Sequence, residues 1–248
     1  MAIIRSLFHP KAAYFLEHCF PQKRAHRNRM IKHYRDFISA GDLVFDVGAN
    51  LGERSKIFRA LNAKVIAIEP TQYCSAYLVK LFRGDSNATV VSKALGEADG
   101  IGEISVNEKL PVLSTMSKKW STESRFSKDY SWEKKEVISI VTLDSLIEQF
   151  GIPRFCKIDV EGFEFNVLSG LSQPIQFISF EFLNEFIGDA EKCVDRLNSI
   201  GSFVYNYNIG EEMDFALPGW TDSATLFRSI KEMNNPSLWG DIYARSIV

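Results

Sequence analysis

Two short stretches of the chain concentrate side chains able to do chemistry. The first, Asp46-Val47-Gly48-Ala49-Asn50-Leu51-Gly52-Glu53, sets two acids around small and turn-forming residues, and Glu69-Pro70 follows one apolar run later. The second, Lys157-Ile158-Asp159-Val160-Glu161-Gly162, alternates charged with apolar residues, and Glu181 stands between Phe180 and Phe182 further on. Side chains alternate along an extended chain, so Lys157, Asp159 and Glu161 share one side of a strand. Three charges there are costly to desolvate unless paired or used. Asp159 or Glu161 can serve as a general base toward a hydroxyl, with Lys157 tuning the local charge and Glu181 orienting the acceptor. A buried Lys-Asp pair that merely stabilises a sheet is the alternative use of the same residues.

The first stretch has the form of a buried strand (43–47), a turn, a helix (51–61) and a second strand (64–69) that ends in an acid. Such a unit holds an adenosyl group: a turn without bulk admits the ligand, and the carboxylate of the next strand can chelate ribose hydroxyls. A dinucleotide wants G-x-G-x-x-G, whose glycines let amides close on a pyrophosphate. Here Asn50 and Glu53 stand at the second and third positions, and an acid in the first helical turn would repel phosphates. S-adenosylmethionine has no phosphate and carries an ammonium and a sulfonium. Asp46 and Glu53 suit it, Gly48 permits close approach, and Asn50 tolerates a left-handed backbone. A glycine needed only to bend the turn is the plainer alternative, and an NAD(P)-dependent oxidoreductase is the rival enzyme class.

These residues need strands and helices in alternation, and the pattern supplies them. Helix 72–82 leads to strand 89–92, helix 142–151 to strand 155–160, and a helix ending near 168 to strand 177–182. Helix 189–200, strand 203–207 and a last strand 241–246 complete the series. Alternation of this kind predicts an α/β fold with a largely parallel sheet and ligands at the strands' carboxyl ends. Residues 94–106, with Gly96, Gly100 and Gly102, read as a small hairpin that strand 137–141 could join. At 248 residues, 46% of them hydrophobic, the chain can bury one substantial core.

A net charge of −2 gives no general attraction to nucleic acid. Cys19, Cys74, Cys156 and Cys193 lack a C-x-x-C pair, so buried thiols in a reducing compartment are expected rather than zinc ligands or disulfides. No apolar run of ~18 residues marks a membrane span. Arg5, His9, Lys11, Glu17 and His18 interrupt any leader core, and a cytoplasmic location is expected. Residues 1–40 read as a helical extension before a single domain, 41–248. Ile3, Ile4, Leu7 and Phe8 suit one helical face; the following Lys23, Arg24, Arg27, Arg29, Lys32 and Arg35 could touch an anionic membrane surface or a phosphorylated substrate, or simply form a solvated face. A long loop at 107–136 carries Trp120, Phe126, Tyr130 and Trp132, which could stack on a sugar or anchor the loop.

Val44-Phe45-Asp46-Val47-Gly48-Ala49-Asn50-Leu51-Gly52, Ile68-Glu69-Pro70, Thr142-Leu143-Asp144 and Lys157-Ile158-Asp159-Val160-Glu161-Gly162, in this order, resemble the FkbM family of S-adenosylmethionine-dependent methyltransferases. The likeness spans about residues 42–182, with weaker support at Gly240-Asp241-Ile242-Tyr243. It implies a Rossmann-like class I methyltransferase fold: a seven-stranded, mostly parallel sheet with an antiparallel last strand and helices on both faces. It also implies O-methylation of a hydroxyl on a sugar, glycan or natural product. By that resemblance Asp46, Gly48, Ala49, Asn50, Gly52 and Glu53 surround the methionine part. Glu69 and Pro70 meet the ribose, and Ser92, Ala94 and Leu95 lie beside the adenine. Asp159 and Glu161 face the methyl group, and Ser114-Thr115 matches a short family motif. All four histidines precede the core, so a carboxylate base is expected. No metal is expected, since Lys157 partly neutralises the acids that Mg²⁺ would need. The competing readings are a non-catalytic binding protein on the same fold, and methylation of protein, lipid or nucleic acid. Oligomeric state is not legible.

Overall fold

The structure, a computed structural model, describes residues 21–247. Cys19 and the apolar face expected of Ile3, Ile4, Leu7 and Phe8 lie outside the described residues. Seven strands form the main sheet: β1 (Leu43–Val47), β2 (Lys64–Ile68), β3 (Ala88–Val91), β7 (Phe155–Ile158), β8 (Phe177–Leu183), β9 (Phe203–Tyr207) and β10 (Trp239–Ser246). Their order is β3-β2-β1-β7-β8-β10-β9, with β10 antiparallel to both neighbours. The neighbouring pairs from β3 through β8 are parallel, so the mostly parallel sheet with its antiparallel last strand is as the sequence implies.

Strand alternation sorts the core into two layers. Phe45, Val47, Ile66, Ile68, Ile158 and Phe180 face helices α5 (Leu143–Phe150), α6 (Glu164–Ser169), α7 (Ile187–Ile200) and α8 (Ser223–Glu232). Val44, Val65, Ala67, Phe155 and Tyr243 face α1 (Pro21–Tyr34), α2 (Glu53–Ala60) and α3 (Gln72–Leu81). Each large side chain taken wholly out of water here is worth ~1.5–3 kcal/mol. Met30 and Tyr34 of α1, with Phe37 and Ile38 after it, lie in the second layer, while Arg24, Arg29, Lys32 and Arg35 remain exposed.

Local signals fix the helix ends. Thr142 Oγ1 accepts from Ser145 N at the start of α5, and Gly151 ends that helix at φ 95°. Asp222 caps α8 by accepting from Thr225 N at 2.7 Å.

Residues 94–106 do not close on themselves as a hairpin. β4 (Ala94–Leu95) pairs parallel with β6 (Lys134–Val141), and β5 (Gly100–Val106) pairs antiparallel with β6, giving a three-stranded sheet with β6 in the middle. The expected pairing of the later strand holds, but it inserts between the two segments expected to pair with each other. Between β5 and β6 the long loop folds into α4 (Lys118–Glu123) and two short 3₁₀ turns, 111–113 and 125–128.

Candidate active site

Parallel pairing brings the carboxyl ends of β1, β2 and β7 to one edge, where a crevice of about 680 Å³ opens. That volume suits a cofactor and an acceptor together. Register sets the chemistry on one face. Asp46 lies beside Lys157, and Glu181 lies opposite Asp241 across the β8–β10 ladder.

At the β1 end, Gly48 and Asn50 take positive φ values of 79° and 48°, the left-handed turn that Asn was expected to tolerate. Gly48 is required by the protein itself: a Cβ there would stand 1.8 Å from the Asp159 backbone oxygen, so bare backbone lets the β1 turn touch the end of β7. Asp46 is buried and accepts from Ser55 Oγ, which fastens α2 to β1. Burial foremost raises its pKa, and the Ser55 hydroxyl and Lys157 oppose the rise. Glu69 is buried and held by three donors: Oε1 accepts from Thr71 N and Oγ1, and Oε2 accepts from Asn50 N at 2.9 Å. Burial raises its pKa too, against those hydrogen bonds.

At the β7 end, Lys157 is 1% exposed and sits 2.8 Å from Asp159 and 3.7 Å from Asp241. Burial works to lower its pKa, but the two aspartates overcome this and hold it above the ordinary lysine value. One carboxylate oxygen from each of Asp159, Glu161 and Glu181 lies within 4.8 Å of the other two; the strand ends at Ile158 rather than at 160, so a left-handed turn at Glu161 (φ 54°), and not strand alternation, brings that acid to the others. The pKa values of Glu161 and Glu181 are well raised. For Glu161 the causes are burial, then Asp159; for Glu181 they are burial, then Glu161 and Asp159. Three such acids cannot all be ionised without a cation or a shared proton. Their oxygens are also hard ligands of the kind that could hold a divalent ion.

Of the residues picked out by sequence, Asp46, Gly48, Ala49, Asn50, Glu53, Glu69, Pro70, Ala94, Leu95, Lys157, Asp159, Glu161 and Glu181 all line this crevice. Gly52 and Ser92 do not. A Cβ on Gly52 would meet Leu78 at 2.7 Å, so its role is packing of α2 on α3; Ser92 lines a separate depression with Pro70, Gln72 and Val137, and Lys93 takes its place in the crevice. Sequence reasoning missed the ion pair Arg54–Glu211 at 2.6 Å, the wall 110–113 with Met116, and Arg125 and Trp239, all lining the crevice. No periodic signal marks those positions. It also missed Glu164, whose Oε1 accepts from Val160 N and Gly162 N, although an acid two residues past a turn glycine was a readable helix-start signal.

The loop aromatics are anchors in the main. Trp120 is 1% exposed, stacks on Phe126 at 5.4 Å and meets Trp132 edge-on at 5.6 Å, while Trp132 Nε1 donates to Leu113 O. Phe126 also reaches the crevice. His33 is shut in a cage of Tyr34, Phe37, Phe215 and Tyr243, and burial pushes its pKa down to about 4. Cys74, Cys156 and Cys193 are buried free thiols, as expected.

The model of the methyltransferase FkbM domain matches residues 46–225, a range that takes in both acidic clusters. The chain belongs to the FkbM methyltransferase family. Hexuronic acid methyltransferase AglP of Haloferax volcanii is 29% identical over 161 residues, covering 64% of this FkbM chain. The chain in turn spans 62% of that relative's length. Among solved structures, precorrin-6y C5,15-methyltransferase of Geobacter metallireducens aligns with TM-score 0.45 and 11% identity over 89% of this chain and 88% of its own. A TehB-like SAM-dependent methyltransferase of Corynebacterium glutamicum aligns with TM-score 0.43 and 8% identity over 88% and 87%. No helix among the described residues is long and apolar enough to cross a membrane.

Proposed function

We propose that this methyltransferase uses S-adenosylmethionine to methylate a hydroxyl of a sugar or glycan, with Glu161 as general base. The observation that carries the reading is the convergence of Asp159, Glu161 and Glu181 on the crevice that the Asp46 turn and Glu69 also line. The donor set fits the cofactor. Glu69 can meet ribose hydroxyls, Asp46 and Glu53 give an acidic surround for a cationic ligand, and Lys93, Ala94 and Leu95 line the crevice beyond the second strand. S-adenosylmethionine, when bound, supplies a methyl group activated by a sulfonium.

The chain's own work is to hold and deprotonate the acceptor. Asp159 is committed to Lys157, whereas the Glu161 side chain takes no hydrogen bond from another described residue and faces the crevice. It is therefore the acid left free to take the proton of an acceptor hydroxyl. Glu181 can share its proton or orient the hydroxyl. Lys157 and proton sharing settle the charge of the three acids, so no metal is invoked. Apolar Leu110, Val112, Leu113 and Phe126, with Trp239 at the rim, suit the faces of a sugar ring, and Arg125, paired with Glu185 at 3.3 Å, lines the same wall. AglP methylates a hexuronic acid, which favours a sugar acid as acceptor here. A hydroxyl of that sugar is the acceptor group this reading takes, since a carboxylate is already deprotonated and needs no general base.

Purified protein given methyl-labelled S-adenosylmethionine and uronic-acid oligosaccharides should place label on sugar in a base-stable ether. Release of the label as methanol by mild base would mean a methyl ester and would overturn the hydroxyl assignment. Failure to bind S-adenosylhomocysteine would leave a non-catalytic binding protein as the better reading. Full activity after EDTA treatment is expected.

A further inference from the structure

Glu161 has φ 54°, a left-handed backbone that a residue with a side chain adopts only when its surroundings hold it there. Gly162 follows at φ 86°, and a Cβ on it would meet Trp120 at 2.7 Å. Thr115 is 1% exposed and donates its hydroxyl to the Glu161 carbonyl oxygen at 2.6 Å, while the same hydroxyl oxygen accepts from Ser117 N at 2.8 Å. The Thr115 backbone is itself pinned to β5 through two hydrogen bonds with Ser105, of 2.9 and 3.0 Å. A rigid line thus runs from the small sheet through Thr115 to the backbone of Glu161.

We infer that Thr115 is a positioning residue, fixing the left-handed turn that aims the Glu161 carboxylate into the crevice; this rests on Glu161 being the base. The consequence is a coupling of specificity to chemistry. Thr115 lies between Leu113 and Met116, which line the crevice, so the segment that shapes the acceptor's wall also sets the geometry of the group that deprotonates it. Glu164 closes the same loop from the other side through Val160 N and Gly162 N.

The test compares Thr115→Val, which is near-isosteric but has no hydroxyl, with Thr115→Ser, which keeps it. Thr115→Val should lower kcat about 10- to 100-fold, as expected for a misplaced catalytic group. Acceptor KM and S-adenosylhomocysteine affinity should change little, and Thr115→Ser should restore most of kcat. Added to Glu161→Gln, Thr115→Val should cause little further loss, because the group it positions is already gone. Thr115→Ala serves the same comparison if the valine variant does not fold. Full kcat in Thr115→Val or Thr115→Ala, with Glu161→Gln inactive, overturns this inference alone. The same holds if the loss persists undiminished in the Glu161→Gln background. Near-normal turnover in Glu161→Gln itself overturns the base assignment and the positioning role together.

Discussion

The two halves of the crevice are built on different plans. At the β1 and β2 ends the acids are tethered: Asp46 by Ser55, and Glu69 by Thr71 and Asn50. At the β7 and β8 ends Glu161 and Glu181 face the crevice with raised pKa values and no such donors among the described residues. The first half is a preformed cradle whose backbone does most of the holding. In the second half the charge is left available, and its geometry is imposed from outside the main sheet by the 107–136 loop. Substitutions in the cradle should therefore cost stability and affinity, and substitutions in the acidic half should cost turnover.

The largest effect expected under this contrast is in the acidic half. Glu161→Gln keeps size and shape but cannot take a proton, and kcat should fall ~10²- to 10⁴-fold, the usual worth of a general base. The urea midpoint should be unchanged or raised, because an acid held against two others is removed. S-adenosylhomocysteine affinity should stay close to that of the parent, and this is read by calorimetry. Equal loss of affinity and turnover would erase the distinction between the halves.

In the cradle, Gly48→Ala asks whether the turn serves the protein before it serves a ligand. The added Cβ would overlap the Asp159 carbonyl oxygen at 1.8 Å and stand on a backbone at φ 79°. Backbone must move, and a cost of ~3 kcal/mol or more in unfolding free energy is expected. Because Asp159 is the atom met, the turn and the acidic strand end would shift together. A variant within ~0.5 kcal/mol of the parent in urea unfolding would show that the contact relaxes freely.

The same division explains what could be read from the sequence. The cradle follows from a strand-turn-helix-strand pattern whose positions are fixed by the main chain, and strand β1 falls at 43–47 as the residues predict. Alternation likewise placed Lys157 of β7 and Glu181 of β8 on one crevice with Asp159, whereas Glu161 reaches it through a left-handed turn past the end of β7 that alternation does not give. What alternation cannot give is a partner. β4 has only two residues, and nothing in 94–106 says that β6 inserts before β5. Nor could the loop aromatics be assigned, since a tryptophan that binds a sugar and one that fills a gap are the same residue. The gap beside Gly162 decides the case for Trp120. Helix α8 went unread although Asp222 and the Leu226–Ile230 spacing carry its start and its buried face. The crevice wall at 110–116 comes from loop residues with no period at all.

The smallest effect concerns pH and is read on stability. Glu164 is 8% exposed, and burial foremost pushes its pKa from 4.5 up to about 7, against the pull of the Val160 and Gly162 amides. Below pH 4.5 the carboxyl is protonated whether the chain is folded or not. Between 4.5 and about 7 the unfolded chain gives up the proton while the folded one keeps it, so stability must fall as pH rises through that window. Above it both states are ionised and the full cost, ~1–3 kcal/mol, is present. Glu161 and Glu181 act in the same direction. His33 opposes them, because its pKa, pushed down to about 4, makes the fold lose stability as pH falls below 6.5. The contribution of Glu164 is therefore read as the difference between the parent and Glu164→Gln: in urea unfolding the variant, neutral at both values, should gain stability over the parent on going from pH 5 to pH 7.5. If the variant instead keeps the parent's pH dependence, Glu164 is solvated rather than stressed, and the two halves of the crevice differ less than their hydrogen bonds imply.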